Sequence, residues 1–275
     1  APADIHGVYR QRRQWAADSL RILFWDGFYW RKGLSFKQKL QYFHRGFVYL
    51  VAAFVMPFFF ITPILALLSQ EFILTSPVKD YVVHRFPYFL AMSLAYGLIN
   101  YPTPYMKAFQ MWTGLFPSFI SATWIALRSR KKKPEYRVNV KPVGEVKSRN
   151  PWLAVLPQQA IIYLSIFAMI YAFLFGNVAW DFYCLNFIWA TWSIWTMSGI
   201  CLAAIRKKKW PKEEAPEEIL QEKKAPSYLR QTRELLFAIL VSIAILILFT
   251  NWEASGMDPF LNGLRTNILQ ALNLE

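Results

Sequence analysis

A short run of polar and aromatic residues near the start of the chain, "QRRQW", has the residue types that bind phosphate and sugar. Arg12 and Arg13 carry planar guanidinium groups, which donate paired hydrogen bonds to phosphate oxygens. Trp15 offers a flat apolar face on which a sugar ring can stack, and Gln11 and Gln14 add amide groups. The combination suits a nucleotide-sugar donor and a sugar acceptor. A membrane-surface anchor, with arginines on lipid headgroups and the indole at the interface, is the alternative.

A second stretch with binding chemistry lies in a polar loop, "KKKPEYRVNVKPVGEV". Its "YRVNVK" segment alternates as a strand does. Tyr136 has an aromatic face for a base, and Asn139 and Lys141 carry groups that reach phosphate. Basic residues also accumulate in the cytoplasmic loops of membrane proteins, so this loop alone has an ordinary explanation.

The composition indicates the class of protein that positions these residues. Hydrophobic residues make up 55% of the 275-residue chain and aromatic residues 18%, and the mean hydropathy is +0.23. Soluble domains are about 45–50% apolar. Here the apolar residues form blocks of roughly 20, the length that crosses a bilayer as a helix. The sequence therefore predicts an all-α polytopic membrane protein.

The distribution of charge predicts which blocks cross the membrane. Nine lysines and arginines lie in each of residues 1–45, 128–150 and 206–233, which places these three segments in the cytoplasm. Two crossings must separate the first two segments, so residues 105–127 are predicted to form an interfacial or broken helix and not to span. Five crossings and an external C-terminus follow, with the crossings at 46–68, 86–101, 154–176, 182–205 and 235–252.

The net charge, the cysteines and the histidines give no indication of nucleic-acid or metal binding. The net charge of +14 is explained by the cytoplasmic loops, so nucleic acid is not an expected partner. Cys184 and Cys201 lie in apolar segments without metal-ligand spacing, and the histidines are isolated. An interfacial helix ending at Gly33, with Ser35 as the N-cap of the next helix, is predicted before the first crossing. No metal site is expected in this chain.

"QRRQW" and "YRVNVK" together resemble the motifs of processive family-2 glycosyltransferases, the family of bacterial cellulose synthase catalytic subunits. That family carries Q-x-x-R-W, an interfacial helix, membrane crossings and then a gating loop with F-x-V-T-x-K. "RKGLSFKQKLQYF" also resembles the family, and the order of features agrees over residues 5–210. The resemblance implies acceptor binding by Trp15 and Gln11, donor diphosphate binding by Arg12, Arg13 and Gln14, and gating-loop contacts by Tyr136, Val138, Asn139 and Lys141.

The chain departs from the family pattern at several positions. Gln14 stands where the family has the diphosphate-binding arginine, so Arg12 or Arg13 would take that role. Tyr136 replaces a phenylalanine and keeps an aromatic face, and Asn139 replaces a threonine and keeps a short polar group. A charged linker and an extra crossing, 235–252, stand where many cellulose synthases have a regulatory cyclic-dinucleotide-binding barrel.

The catalytic motifs of the family, D-x-D for the metal and T-E-D for the general base, are absent from this sequence. The resemblance implies that an upstream or separate cytosolic α/β domain supplies them and binds Mg²⁺ or Mn²⁺. The predicted organisation is the end of the catalytic domain with the QxxxW motif and interfacial helix (1–45), a transmembrane channel region (46–205) with interfacial helix 105–127 and gating loop 128–150, a charged linker (206–233), an extra transmembrane helix (234–252) and an external amphipathic tail (253–275).

The expected activity is inverting transfer from a UDP-sugar to a β-glucan-type polymer that then crosses the bacterial inner membrane. Trp189, Trp192 and Trp195 recur three apart and form a ridge on one helix. This ridge could line the path of the sugar polymer; packing or lipid contact is the alternative. The same two roles are open to the other possible channel-lining residues, Tyr101, Tyr105 and Trp112.

Two other functions stay open at this point. A non-processive transferase that acts on a lipid carrier would need no translocation channel. A non-catalytic membrane scaffold would use its basic helices only to bind anionic lipid. The tail at 253–275 is expected to lie on the outer surface or against a partner there.

Overall fold

The computed structural model describes residues 5–71, 77–99, 105–131, 150–205 and 227–274, with only the backbone of Tyr105 and of residues 227–231. These ranges contain helices and no strand. The helices are α1 (Ile5–Trp25), α2 (Phe36–Leu50), α3 (Met56–Ser69), α4 (Val78–Ile99), α5 (Tyr105–Gly114), α6 (Phe116–Arg128), α7 (Pro151–Ala154), α8 (Leu156–Phe175), α9 (Trp180–Ile205), α10 (Ser227–Thr250) and α11 (Met257–Ala271).

Five helical segments among the described residues are long and apolar enough to cross a membrane. They are Phe36–Ser69, Val78–Ile99, Leu156–Phe175, Trp180–Ile205 and Thr232–Thr250. The predicted fold class, an all-α polytopic protein with five transmembrane helices, is therefore confirmed. The chain is an integral membrane protein.

Several helices begin earlier than hydropathy predicts. The second spanning helix starts at Val78 and includes Lys79 and Asp80, although the predicted start is residue 86. The last one starts at Ser227, inside the predicted charged linker. A hydropathy criterion omits polar turns at a helix end, whereas the backbone hydrogen bonds continue through them.

The segment between α1 and α2 turns twice. The predicted interfacial helix was expected to continue to Gly33, but α1 ends at Trp25. Gly27 and Gly33 have φ angles of +60° and +89°, which glycine adopts without steric cost and which end a right-handed helix. Ser35 is the N-cap of α2, as predicted: its hydroxyl accepts from the Gln38 N–H at 3.3 Å, and the Gln38 side chain accepts from the Ser35 N–H at 2.9 Å.

Residues 105–127 form two helices and not one. α5 and α6 are separated at Leu115, and Pro117 lies in the first turn of α6, where its missing N–H costs nothing. This break agrees with the prediction of a broken helix in this segment. The first span is continuous by contrast: a π-helical segment, Val51–Val55, joins α2 to α3, and Pro63 lies inside α3.

The described residues fall into two compact units. The first comprises Ala1–Ile61, Gln110–Tyr163 and Ser193–Lys209. Its core lies where α1 packs on α6 and α2. Ala16 and Ala17 of α1 are buried in the same core as Ala122 and Ala126 of α6, and small side chains let two helices approach closely.

The second unit comprises Thr62–Phe109, Leu164–Trp192 and Trp210–Glu275. Its α4 and α10 approach closely at Gly97, where an added Cβ would meet the Leu235 side chain. The tail helix α11 forms where the apolar spacing predicts a helix. Asn262 accepts a hydrogen bond from the Trp180 indole at 2.8 Å. Arg265 donates to the Leu174 carbonyl at 3.2 Å, so α11 is fixed to the ends of α8 and α9 within this unit.

Candidate functional site

The "QRRQW" residues lie consecutively on α1, directly before its buried alanines, Ala16 and Ala17. Trp15 is 41% exposed. Arg12 and Arg13 are exposed as well; Arg12 lies beside Trp15, whereas Arg13, two residues before it, points to another side of the helix. Gln11 lies four residues before Trp15 and shares its side of the helix. Gln14 is half-buried, as is Gln11. Helix α1 thus presents an indole, two guanidinium groups and two amides within two helical turns.

Arg12 and Trp15 interact directly. The guanidinium carbon of Arg12 lies 5.0 Å from the centre of the Trp15 ring, within the distance at which a cation is attracted to an aromatic face. An exposed pair of this kind contributes about 0.5–1 kcal/mol. The pair is weak enough for a ligand to displace, and it holds a positive charge over the Trp15 ring.

The far end of α1 binds the C-terminus of α6. The indole N–H of Trp25 donates to the Ala126 carbonyl at 2.9 Å, and Nε of Arg21 donates to the Ser129 carbonyl at 3.1 Å. A second nitrogen of Arg21 bonds the Asp26 carboxylate at 2.9 Å. The Ala126 carbonyl also accepts from the Ser129 N–H at 3.1 Å, so Trp25 adds a second hydrogen bond to it and ties α1 to the last turn of α6. We call Arg21, Trp25 and Asp26 the α1 clamp.

The α1 clamp lies at the start of the segment predicted as the gating loop. α6 ends at Arg128, and the guanidinium carbon of Arg130 lies 5.2 Å from the centre of the Trp25 ring. The helix that carries the candidate ligand residues therefore also fixes the first residues of this loop. The predicted gating-loop contacts, Tyr136, Val138, Asn139 and Lys141, lie outside the described residues.

A buried polar group joins α1 to the break between α5 and α6. Gln158 is fully buried, and its Nε2 donates to the Tyr9 hydroxyl at 2.6 Å and to the Gly114 carbonyl at 2.5 Å. Burial raises the pKa of Tyr9 well above the usual 10.0, and the hydrogen bond from Gln158 offsets part of this. Tyr9 is thus a neutral hydrogen-bonding partner at any physiological pH.

Sequence reasoning missed this group, although one signal was present. Gln158 is a polar residue at the start of an apolar crossing, and polar groups in such segments find partners or functions. Its two partners lie 149 and 44 residues away along the chain, so no local pattern identifies them.

The predicted channel-lining aromatics make packing contacts within their units. In the second unit, the Trp189 ring centre lies 5.0 Å from that of Phe89, and Trp192 lies 6.0 Å from Phe109. In the first unit, the Trp195 carbonyl accepts from Gln110 at 2.8 Å.

Trp112, also in the first unit, lies 5.3 Å from Tyr49 and 4.9 Å from Phe119, measured between ring centres. Tyr101 and the side chain of Tyr105 are outside the described residues. These ring contacts give Trp112, Trp189 and Trp192 a packing role, and a channel-lining role stays a prediction.

The part of the chain that the structure describes contains no cluster of three or more His, Cys, Asp or Glu side chains able to hold a metal ion. Its α1 surface instead has groups suited to phosphate and sugar. Comparisons with protein-family models, curated proteins and solved structures found no match for this chain.

Proposed function

We propose that this chain is the membrane-embedded, acceptor-binding part of a processive glycan synthase. It works with a catalytic domain that is upstream or on a separate chain and that binds Mg²⁺ or Mn²⁺ and the UDP-sugar. The product is a β-glucan-type polymer that passes through the membrane region, in the bacterial inner membrane. The observation that carries the proposal is the exposed Trp15 on α1 with the Arg12 guanidinium over its ring.

Each residue of this surface has a role that follows from its chemistry. The terminal sugar of the polymer stacks on Trp15, and Gln11 hydrogen-bonds its hydroxyl groups. Arg12 and Arg13 attract the diphosphate of the donor and stabilise the negative charge that develops as it leaves. Gln14 adds a neutral hydrogen-bonding group beside them. The general base belongs to the catalytic domain.

The α1 clamp supports the proposal by connecting two parts of the reaction. A processive enzyme must bind the polymer end and cover the donor in the same cycle. α1 presents the proposed acceptor surface, and Trp25 on the same helix bonds the end of α6, from which the proposed gating loop continues. The position of the polymer and the start of the loop therefore depend on one rigid helix.

Polymer synthesis by the purified complex of this chain with its catalytic domain tests the proposal. Radiolabelled UDP-sugars are supplied with Mg²⁺ or Mn²⁺, and Trp15→Ala is compared with Trp30→Ala. Trp30 is 88% exposed on the α1–α2 turn and has no proposed role in binding the polymer. We expect incorporation to fall more than tenfold, about 1.4 kcal/mol of transition-state stabilisation, for Trp15→Ala only. Equal incorporation by both intact complexes would favour the lipid-anchoring scaffold instead.

A further inference from the structure

A cavity of about 410 Å³ lies at the turn between α1 and α2. Phe28, Leu34 and Tyr42 form apolar walls of this cavity. The Phe28 ring is buried, and its centre lies 5.9 Å from that of Tyr42. The turn is fixed to α2 because the Lys39 ammonium donates to the Tyr29 carbonyl at 2.9 Å. The cavity is thus an open depression at the protein surface, in which Phe28 is buried whereas Tyr42 and Arg31 are exposed.

Three charged side chains line the same cavity: Arg21, Arg31 and Asp26. Arg21 is held in place by its bonds to Asp26 and to the Ser129 carbonyl, which engage two of the five N–H groups of a guanidinium. Arg31 is exposed at the turn. Two guanidinium groups and one carboxylate leave one positive charge in excess, which matches the single negative charge of a phosphodiester.

The position of the cavity indicates where such a phosphodiester comes from. The turn directly precedes the first apolar span. Trp30 on the turn is 88% exposed, and Phe36, the first residue of α2, is 79% exposed. Lysine residues follow at the start of α2. Exposed aromatic rings mixed with cations are typical of the membrane–water interface, and basic pockets at this depth bind lipid headgroups.

We infer that this cavity binds the headgroup of an anionic phospholipid that carries hydroxyl groups, of the phosphatidylglycerol type. Arg21 and Arg31 hold the phosphodiester, and the Asp26 carboxylate accepts a hydrogen bond from a headgroup hydroxyl. A choline headgroup has no hydrogen-bond donor and cancels the phosphate charge, so the cavity discriminates against it. This inference does not depend on the proposed glycan activity, because none of the residues involved is assigned to sugar binding.

Native mass spectrometry of the purified protein tests the inference, with dioctanoyl phosphatidylglycerol and dioctanoyl phosphatidylcholine as probes. Arg31→Gln is compared with Lys32→Gln, which removes the same charge from the neighbouring exposed residue that does not line the cavity. We expect one phosphatidylglycerol to bind more tightly than phosphatidylcholine, and Arg31→Gln alone to weaken it about tenfold.

Two results would overturn the inference. Equal weakening by Arg31→Gln and Lys32→Gln would show a general attraction between a basic surface and anionic lipid, with no defined site. Equal affinity of the wild-type protein for the two lipids would remove the assigned roles of the guanidinium groups and of Asp26. Arg21 is left unchanged in this experiment because its substitution would also disrupt the α1 clamp.

Discussion

Replacing Trp25 by phenylalanine is expected to loosen the end of α6 by an amount that the structure allows us to calculate. Phenylalanine cannot donate the 2.9 Å hydrogen bond that the indole N–H makes to the Ala126 carbonyl. A bond of this kind contributes about 1 kcal/mol net. The smaller ring also weakens the contact with the Arg130 guanidinium, now 5.2 Å from the ring centre, by a few tenths of a kcal/mol. The opening equilibrium of the last α6 turn should therefore rise about 5- to 10-fold.

Hydrogen–deuterium exchange measured by mass spectrometry on the purified protein reads this opening directly. Peptides that cover residues 125–128 should exchange about 5- to 10-fold faster in Trp25→Phe than in the wild type. Peptides from the middle of α8 should not change. Trp30→Phe provides the matched control, because the Trp30 side chain is 88% exposed and its loss should leave the exchange of α6 unaltered.

The reasoning would be refuted by unchanged exchange at residues 125–128 in Trp25→Phe. It would be refuted equally by the same acceleration in Trp30→Phe. Either result would mean that the Trp25 indole bond does not hold the end of α6, and the proposed role of Trp25 in connecting the "QRRQW" helix to the gating loop would be lost. A confirmed local effect would justify measuring polymer length in the same variant, where a loosened loop should shorten the product.

Two further predictions concern packing within the units, and both are checked by thermal unfolding in detergent. Gln158→Leu leaves the buried Gly114 carbonyl and the half-buried Tyr9 hydroxyl without their donor and should cost about 1–3 kcal/mol. Gln159→Leu, at the half-buried neighbouring position, should change stability little, and equal effects would contradict the assigned role of Gln158. Gly46→Ala should destabilise by about 1–3 kcal/mol because its Cβ would lie 2.7 Å from Leu23 Cβ of α1, an atom that no rotamer change can move away. Gly263→Ala has open space and should stabilise its helix by about 1 kcal/mol, and the same sign in both variants would disprove the close approach of α1 and α2.

The five membrane crossings were predictable because they depend on composition alone. Blocks of apolar residues and three basic segments are visible without any knowledge of contacts, and the helices lie where these blocks are. The helix ends were less predictable. Lys79 and Asp80 read as loop residues by hydropathy, yet they form the first turn of α4, because helix formation there does not require apolar side chains.

The end of α1 was misplaced for a specific reason. The sequence has a glycine at 27 and another at 33, and the mixture of aromatic and basic residues continues between them. Composition gives no means of choosing which glycine takes a positive φ; in the structure both do, and the first one lies just after the end of the helix.

The candidate site was predictable only in part. The residue types in "QRRQW" and their spacing on one helix are local properties, so the exposed surface of α1 could be predicted. The α1 clamp could not, because Trp25 and Arg21 bond carbonyl groups 101 and 108 residues away. Their aromatic and basic side chains instead suggested contact with the lipid interface. Nothing in the local sequence distinguishes an indole that lies in lipid from one that bonds the end of another helix.

Photocrosslinking at position 15 during synthesis tests the central claim most directly. Trp15 is replaced by the photoreactive aromatic residue p-benzoylphenylalanine in the complex with the catalytic domain, and Trp30 is replaced in the same way as a control. Illumination during incorporation of a radiolabelled UDP-sugar should attach labelled polymer to position 15, and only when the divalent metal is present. Active synthesis without label at position 15, or with equal label at position 30, would contradict the assignment of Trp15 as the acceptor platform.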